Sequence, residues 1–212
     1  RNLALEAAKA GTHSFCEKPS AITADDALEM VRAARSAGTI FQIGFMRRFD
    51  EDFLKAKALI EDGAIGDPVF IRSTTRGPGL PPSWAWDTSK SNGMLAEVNS
   101  HDFDCVRWLI GSEYVRVFAQ VKARKAEEPR RQHPDFYDVA VVSLELANGT
   151  LGTIDGACPV DYGYDARVEV LGTRGMLTVG EVSDGTVVQV SRDGQVTRHA
   201  FRSWRDRFRS GY

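Results

Sequence analysis

Two places in this 212-residue sequence collect side chains able to do proton and charge chemistry. The first is Glu17-Lys18-Pro19, directly after the strand-like His13-Ser14-Phe15-Cys16. In open α/β sheets, ligands bind beyond the carboxyl ends of strands. Pro19 fixes its own φ and biases Lys18 toward an extended backbone, so the ammonium is held off any helix and can enter a crevice. A solvated loop is the plain alternative. The second place is Glu97-Val98-Asn99-Ser100-His101-Asp102-Phe103-Asp104. On one helix, Glu97 and His101 are i, i+4 neighbours and Asp104 follows at i+3, so the three share a stripe. A carboxylate beside an imidazole raises its pKa and orients the ring, which suits a general acid–base near neutral pH. His101 also reads as a hydrogen-bonded core histidine beside Cys105 and Trp108. A metal could use Glu97, His101 and Asp104, but His13, His133 and His199 stand at no ligand spacing.

The elements around these residues follow from local pattern. Residues 1–45 read helix–strand–helix–strand: a helix stopped by Gly11, a strand at 13–16, a helix capped by Thr23 and closed by Gly38, and a strand at 39–45. That alternation marks a parallel sheet with crossover helices. Helices are expected over 50–62 and 94–110, with a strand at 69–74 and a Gly/Pro-rich loop at 77–93 that carries Trp84 and Trp86. Such long loops are usually functional. From Tyr114 onward strands dominate, at 115–122, 138–146, 151–157, 166–171, 176–179, 187–191 and 196–201. Asn148-Gly149 and Asp193-Gly194 supply hairpin turns, so this sheet is expected to be largely antiparallel. The fold class is α/β with an α+β C-terminal part: a remnant of a Rossmann domain, then a large open sheet. Both ends carry helical patterns without caps and read as cut from a longer protein.

Composition excludes several classes. With 27 basic and 29 acidic residues and a net charge of −2, the chain lacks the basic surplus that nucleic acid demands. No apolar run reaches membrane-spanning length. Three scattered cysteines make neither a disulfide framework nor a zinc cluster and favour a reducing, cytoplasmic setting. The five arginines between Arg198 and Arg209 read as a solvated strand end and helix start. In 138–146 one face is wholly apolar (Ala140, Val142, Leu144, Leu146), and the other (Val139, Val141, Ser143, Glu145) is mixed. Helices after residue 111 are too few to cover both faces, so a homo-oligomer, dimer or tetramer, is expected through the open sheet.

The run Ala7-Ala8-Lys9-Ala10-Gly11-Thr12-His13-Ser14-Phe15-Cys16-Glu17-Lys18-Pro19 resembles the Gfo/Idh/MocA oxidoreductases, the family of glucose–fructose oxidoreductase and inositol 2-dehydrogenase. So do Phe41-Gln42-Ile43-Gly44-Phe45-Met46-Arg47-Arg48-Phe49-Asp50, Gly63-Ala64-Ile65-Gly66, His101-Asp102-Phe103-Asp104-Cys105-Val106-Arg107-Trp108-Leu109-Ile110-Gly111 and Val170-Leu171-Gly172-Thr173-Arg174-Gly175, in the same order. The resemblance implies that residues 1–45 are the C-terminal remnant of a Rossmann dinucleotide-binding domain. Residues 46–212 are then the substrate and oligomerisation domain, without the C-terminal helix. It further implies reversible hydride transfer between NAD or NADP and a hydroxyl of a small sugar or polyol, inositol-like, with no metal. By match, Lys18, His101 and Glu97 converge on the substrate hydroxyl. Glu17, Lys18 and Arg47 are implied cofactor contacts, and Tyr162 a further substrate contact.

Two departures from the family pattern stand out. Inositol dehydrogenases of the family usually carry Asp where this chain has Glu97. One more methylene moves the carboxylate by roughly an ångström, at sites whose tolerance is about 0.5 Å. The Gly-rich phosphate loop and the residue that selects NAD over NADP have no counterpart in the sequence. The rival readings are a non-catalytic ligand-binding relative, against which Lys18 and His101 argue, and a metal-dependent hydrolase.

Overall fold

A computed structural model of the chain describes residues 1–180, 189–190, 196–197 and 203–208. It opens with α1 (Asn2–Lys9), β1 (Ser14–Cys16), α2 (Ala24–Ala37) and β2 (Phe41–Ile43). The Thr23 hydroxyl caps α2 by accepting the Asp26 N–H at 3.1 Å, and Gly38 ends the helix at φ 65°. β1 and β2 pair in parallel, Phe15 opposite Gln42. Their carboxyl ends therefore lie side by side and deliver Glu17-Lys18 and Gly44 to one edge.

A 3-10 turn (Met46–Phe49) leads into α3 (Glu51–Glu61), which Asp50 caps by accepting the Phe53 N–H at 3.2 Å. Then come β3 (Pro68–Pro78), a second 3-10 turn (Ser83–Trp86), α4 (Thr88–Ser91), α5 (Gly93–Glu97) and α6 (Ser100–Ile110). The remainder is β4 (Tyr114–Lys122), α7 (Glu127–Gln132), β5 (Val139–Leu146), β6 (Leu151–Val160), β7 (Asp165–Gly172), β8 (Met176–Val179), the short antiparallel pair β9 (Gln189–Val190) and β10 (Val196–Thr197), and α8 (Trp204–Arg207). Of the expected strands 187–191 and 196–201 only these short pieces are described. The Asp193-Gly194 turn lies outside the described residues, as do Arg198, Arg202 and Arg209.

The six-stranded sheet runs β4-β5-β6-β3-β7-β8. All its neighbours are antiparallel except β3 and β6, which run parallel with Arg72 opposite Thr153. The expectation of a largely antiparallel sheet thus needs one amendment at its centre. β3 leaves through helices α4–α6 rather than through a hairpin, and a helical crossover is the connection that lets a later strand return in parallel. The Asn148-Gly149 turn joins β5 to β6 as expected, with Gly149 at φ 87° and Asn148 Oδ1 accepting the Thr150 N–H at 3.2 Å.

One face of the sheet carries the core. Phe53, Ala56 and Ile60 of α3 and Cys105, Val106 and Leu109 of α6 pack on Ile71, Val142, Leu144, Ile154 and Val170. Phe208, after α8, is fully buried against Phe53 and Tyr164. In β5 the apolar alternate residues point inward, and Val141 on the opposite face is 52% exposed. No helix among the described residues is long and apolar enough to cross a membrane.

Candidate active site

The residues read as one helix, 94–110, form two. α5 stops at Glu97 and α6 starts at Ser100, with Val98 and Asn99 between. A buried network around Asn99, described below, replaces the continuous ladder at this point. The interruption frees the Glu97 carbonyl, and the Lys18 ammonium donates to it. Lys18 Nζ also lies 3.4 Å from Glu97 Oε1. A side chain at the carboxyl edge of β1 thereby reaches across to the end of α5. The peptide between Lys18 and Pro19 is cis. Asn92 ties the same two regions together, its side-chain amide donating to the Ile22 carbonyl.

His101 stands in the first turn of α6, 6% exposed, with the Phe45 ring edge-on at 6.1 Å between centroids. Burial, then the Lys18 and Arg47 cations, hold its imidazole well below the ordinary 6.5. This corrects the sequence expectation in two respects. Among the described residues no hydrogen bond joins Glu97 to His101, because the helix break disrupts the i, i+4 register. Burial comes first, and the charges beside the imidazole are cations and not a carboxylate, so the shift runs downward. Nδ1 of His101 is buried without a partner among the described residues.

Asp104 is not part of a stripe with Glu97 and His101. Arg48 holds it in a two-point bond, Nε at 2.9 Å and Nη2 at 2.8 Å. Among the described residues no three of His, Cys, Asp and Glu come together as a metal-ligand group. Arg47 also departs from its expected place at cofactor or substrate. It is 1% exposed, and its guanidinium donates to Asp102 at 2.9 Å, to Ser73 at 3.3 Å and to Thr75. Burial opposes that charge, but the Asp102 carboxylate together with Cys105 and Tyr164 raises the guanidinium above its ordinary value. The pattern around Arg47 gave no sign of this, because its partner lies 55 residues away.

Tyr162 belongs to another cluster. Its hydroxyl donates to Asp165 Oδ2 at 2.8 Å, and Arg167 holds the same carboxylate at 2.6 and 3.0 Å. The ring remains 45% exposed. Three residues that pattern-reading passed over shape the site: Asn99, Asp102 and Gly156. Each is small or polar in a region that periodicity treats as plain helix or strand.

The carboxyl edge of β1 and β2 can be tested for fit to a nicotinamide cofactor. A Cβ on Gly44 would lie 3.0 Å from Glu17 Oε2 and 3.0 Å from the Phe15 ring, so these two side chains close over a buried glycine and leave no room for a side chain there. Glu17 and Lys18 flank it. A carboxylate and an ammonium at this edge are chemically compatible with the polar reactive end of such a cofactor. The chain has no G-x-G-x-x-G turn to cradle the pyrophosphate.

A Rossmann-like start followed by a mixed, mostly antiparallel sheet defines an α/β fold of the dinucleotide-binding kind. The family model for the oxidoreductase family with NAD-binding Rossmann fold matches residues 1–45, and that for the GFO/IDH/MocA C-terminal domain matches residues 53–178. The chain belongs to the GFO/IDH/MocA family. It is 36% identical over 211 residues to myo-inositol 2-dehydrogenase of Thermotoga maritima, covering 99% of this chain and 62% of that protein. The crystal structure of a probable dehydrogenase from Thermotoga maritima superposes with a TM-score of 0.92 at 36% identity, over 100% of this chain and 63% of the other. Scyllo-inositol dehydrogenase from Lactobacillus casei, solved with bound NAD(H) and scyllo-inositol, superposes at 0.87 with 26% identity, over 99% and 62%. The chain thus spans about three-fifths of the length of these relatives.

Proposed function

We propose that the full-length protein is an NAD- or NADP-dependent dehydrogenase that oxidises a hydroxyl of a small sugar or polyol, inositol-like in class. The observation that carries this reading is the meeting of Lys18 with Glu97 beside a neutral, buried His101. Glu17 and Lys18 would hold the nicotinamide end of the cofactor. Arg47 is left out of that set, since its guanidinium lies inside the protein. The cofactor, when bound, supplies the hydride acceptor.

Oxidising an alcohol requires that the hydroxyl lose a proton as carbon loses a hydride. His101 is kept unprotonated by burial and neighbouring cations, so its imidazole can accept that proton. The Lys18 ammonium stabilises the developing alkoxide, and acts better for being largely desolvated, at 15% side-chain exposure. Glu97 holds Lys18 in place through its carbonyl and carboxylate, and its carboxylate can bind a neighbouring substrate hydroxyl. Tyr162 is proposed as a further substrate contact at the end of β6.

Nucleic acid and membrane play no part in this reading, and the setting is cytoplasmic. The protein acts as a dimer or tetramer through the sheet face that no helix among the described residues covers. That face exposes Phe118, Val141, Leu151 and Met176 by 52–62%. The test of the function is cofactor reduction by a panel of inositols and sugars with the full-length protein. Wild-type rates in Lys18→Ala and His101→Ala, with cofactor binding intact, would instead favour the non-catalytic ligand-binding reading.

A further inference from the structure

Asp102 follows His101 in sequence but has no part in the chemistry above. It is wholly buried, and four donors converge on it. Oδ1 accepts from Arg47 Nη1 at 2.9 Å, Ser73 Oγ at 2.5 Å and Thr75 Oγ1 at 2.9 Å. Oδ2 accepts from Asn99 Nδ2 at 2.8 Å. These donors come from the turn after β2, from the central strand β3, and from the break between α5 and α6.

Asn99 is itself fully buried and sits in that break, two residues after Glu97 and two before His101. It lies directly on the β6 backbone, because a Cβ on Gly156 would come within 2.2 Å of Asn99 Oδ1. The helical ladder no longer sets the spacing of Glu97 and His101 across the break. The bond from Asn99 to Asp102 does, and β3 and Arg47 anchor Asp102. A buried ion pair adds little stability over well-packed apolar groups. Donors fixed from three directions do restrict geometry, and active sites need side chains held within about 0.5 Å.

We propose that Asp102, anchored by Arg47 and reached by Asn99, is the positioning residue that fixes Glu97 and His101 relative to one another. The inference rests on the acid–base reading of His101. Charged groups facing His101 are Lys18 from the β1 edge, whose charge Glu97 partly offsets, and Arg47 from the turn after β2, paired to Asp102.

The test is the full-length double variant Arg47→Met/Asp102→Leu, which removes the pair without leaving a lone buried charge. Its melting temperature is expected near that of the wild type. Its kcat is expected to fall on the order of 10²-fold, the cost of a misplacement of about 1 Å, with cofactor affinity unchanged. The His101 imidazole, followed by NMR, is expected to titrate higher than in the wild type, as the Arg47 cation is lost and water enters. A folded variant with wild-type kcat and wild-type His101 titration would overturn the proposal. Should that variant fold poorly, Asn99→Ala leaves the ion pair intact and carries the same expectation for kcat, and an unchanged kcat and pH profile there overturns it equally. His101→Gln separates the two readings. If it retains full activity, the acid–base role fails, and the His101 titration in Asn99→Ala, which keeps the Arg47 cation paired, still decides the positioning role.

Discussion

Lys18 and Glu97 are 79 residues apart in sequence and in contact in the fold, the lysine ammonium donating to the glutamate carbonyl. The contact joins the Rossmann-like start to the helix break that precedes His101. On the proposed function, Lys18 is the cation beside the developing alkoxide. Replacing Lys18 by Met keeps much of the stem and removes the charge. In the full-length protein kcat is expected to fall about 10²–10⁴-fold, as for loss of an acid–base group. Steady-state kinetics alongside a cofactor titration measures this, and a loss confined to cofactor affinity would count against it.

Burial and cations keep His101 neutral in the folded chain. The unfolded imidazole titrates near its ordinary 6.5. Below that pH the unfolded state binds a proton that the folded state refuses, so stability falls with acid. Above it both states are neutral and the contribution is fully present. Urea denaturation at neutral pH and at mildly acidic pH should show a smaller acid loss in His101→Gln than in the wild type. Equal losses in the two proteins would show that His101 is not the group responsible.

Gly156→Ala places a methyl group 2.2 Å from Asn99 Oδ1. The strand cannot retreat without disturbing β3 and β5 on either side. Overpacking of this kind costs about 1–3 kcal/mol. Denaturant midpoints are expected to drop accordingly, and kcat to fall with them because Asn99 moves. An unchanged midpoint would mean that Asn99 has room the structure does not show.

The sheet face that no helix among the described residues covers carries exposed Phe118, Val141 and Leu151, beside Arg72, Arg76 and Asp155. Light scattering on the full-length protein is expected to give a dimer or tetramer. Val141→Lys is expected to shift that mass downward without loss of secondary structure. A strict monomer at micromolar concentration, before any substitution, would remove this face from the account.

Much of the fold was legible because it rests on local signals. Thr23, Gly38 and Asn148-Gly149 each act within a few residues, and each sits where the pattern put it. The strand alternation of 138–146 identified the inward face correctly. The site was legible only in part. Lys18, Glu97 and His101 come together, but their electrostatics could not be read from spacing. The helix break depends on Asn99 meeting Gly156 and Asp102 meeting Arg47, pairings across 57 and 55 residues that leave no mark on periodicity. The parallel pairing of β3 with β6 likewise depends on how the chain returns, not on either strand.

The central claim is that His101 takes the proton when a sugar or polyol hydroxyl is oxidised with Lys18 at its side. The most direct measurement is the rate of cofactor reduction by the preferred polyol, wild type against His101→Ala, in full-length protein of proven fold. The account predicts a fall of about 10²–10⁴-fold in kcat with cofactor affinity preserved. A His101→Ala protein that reduces the cofactor at the wild-type rate would contradict it.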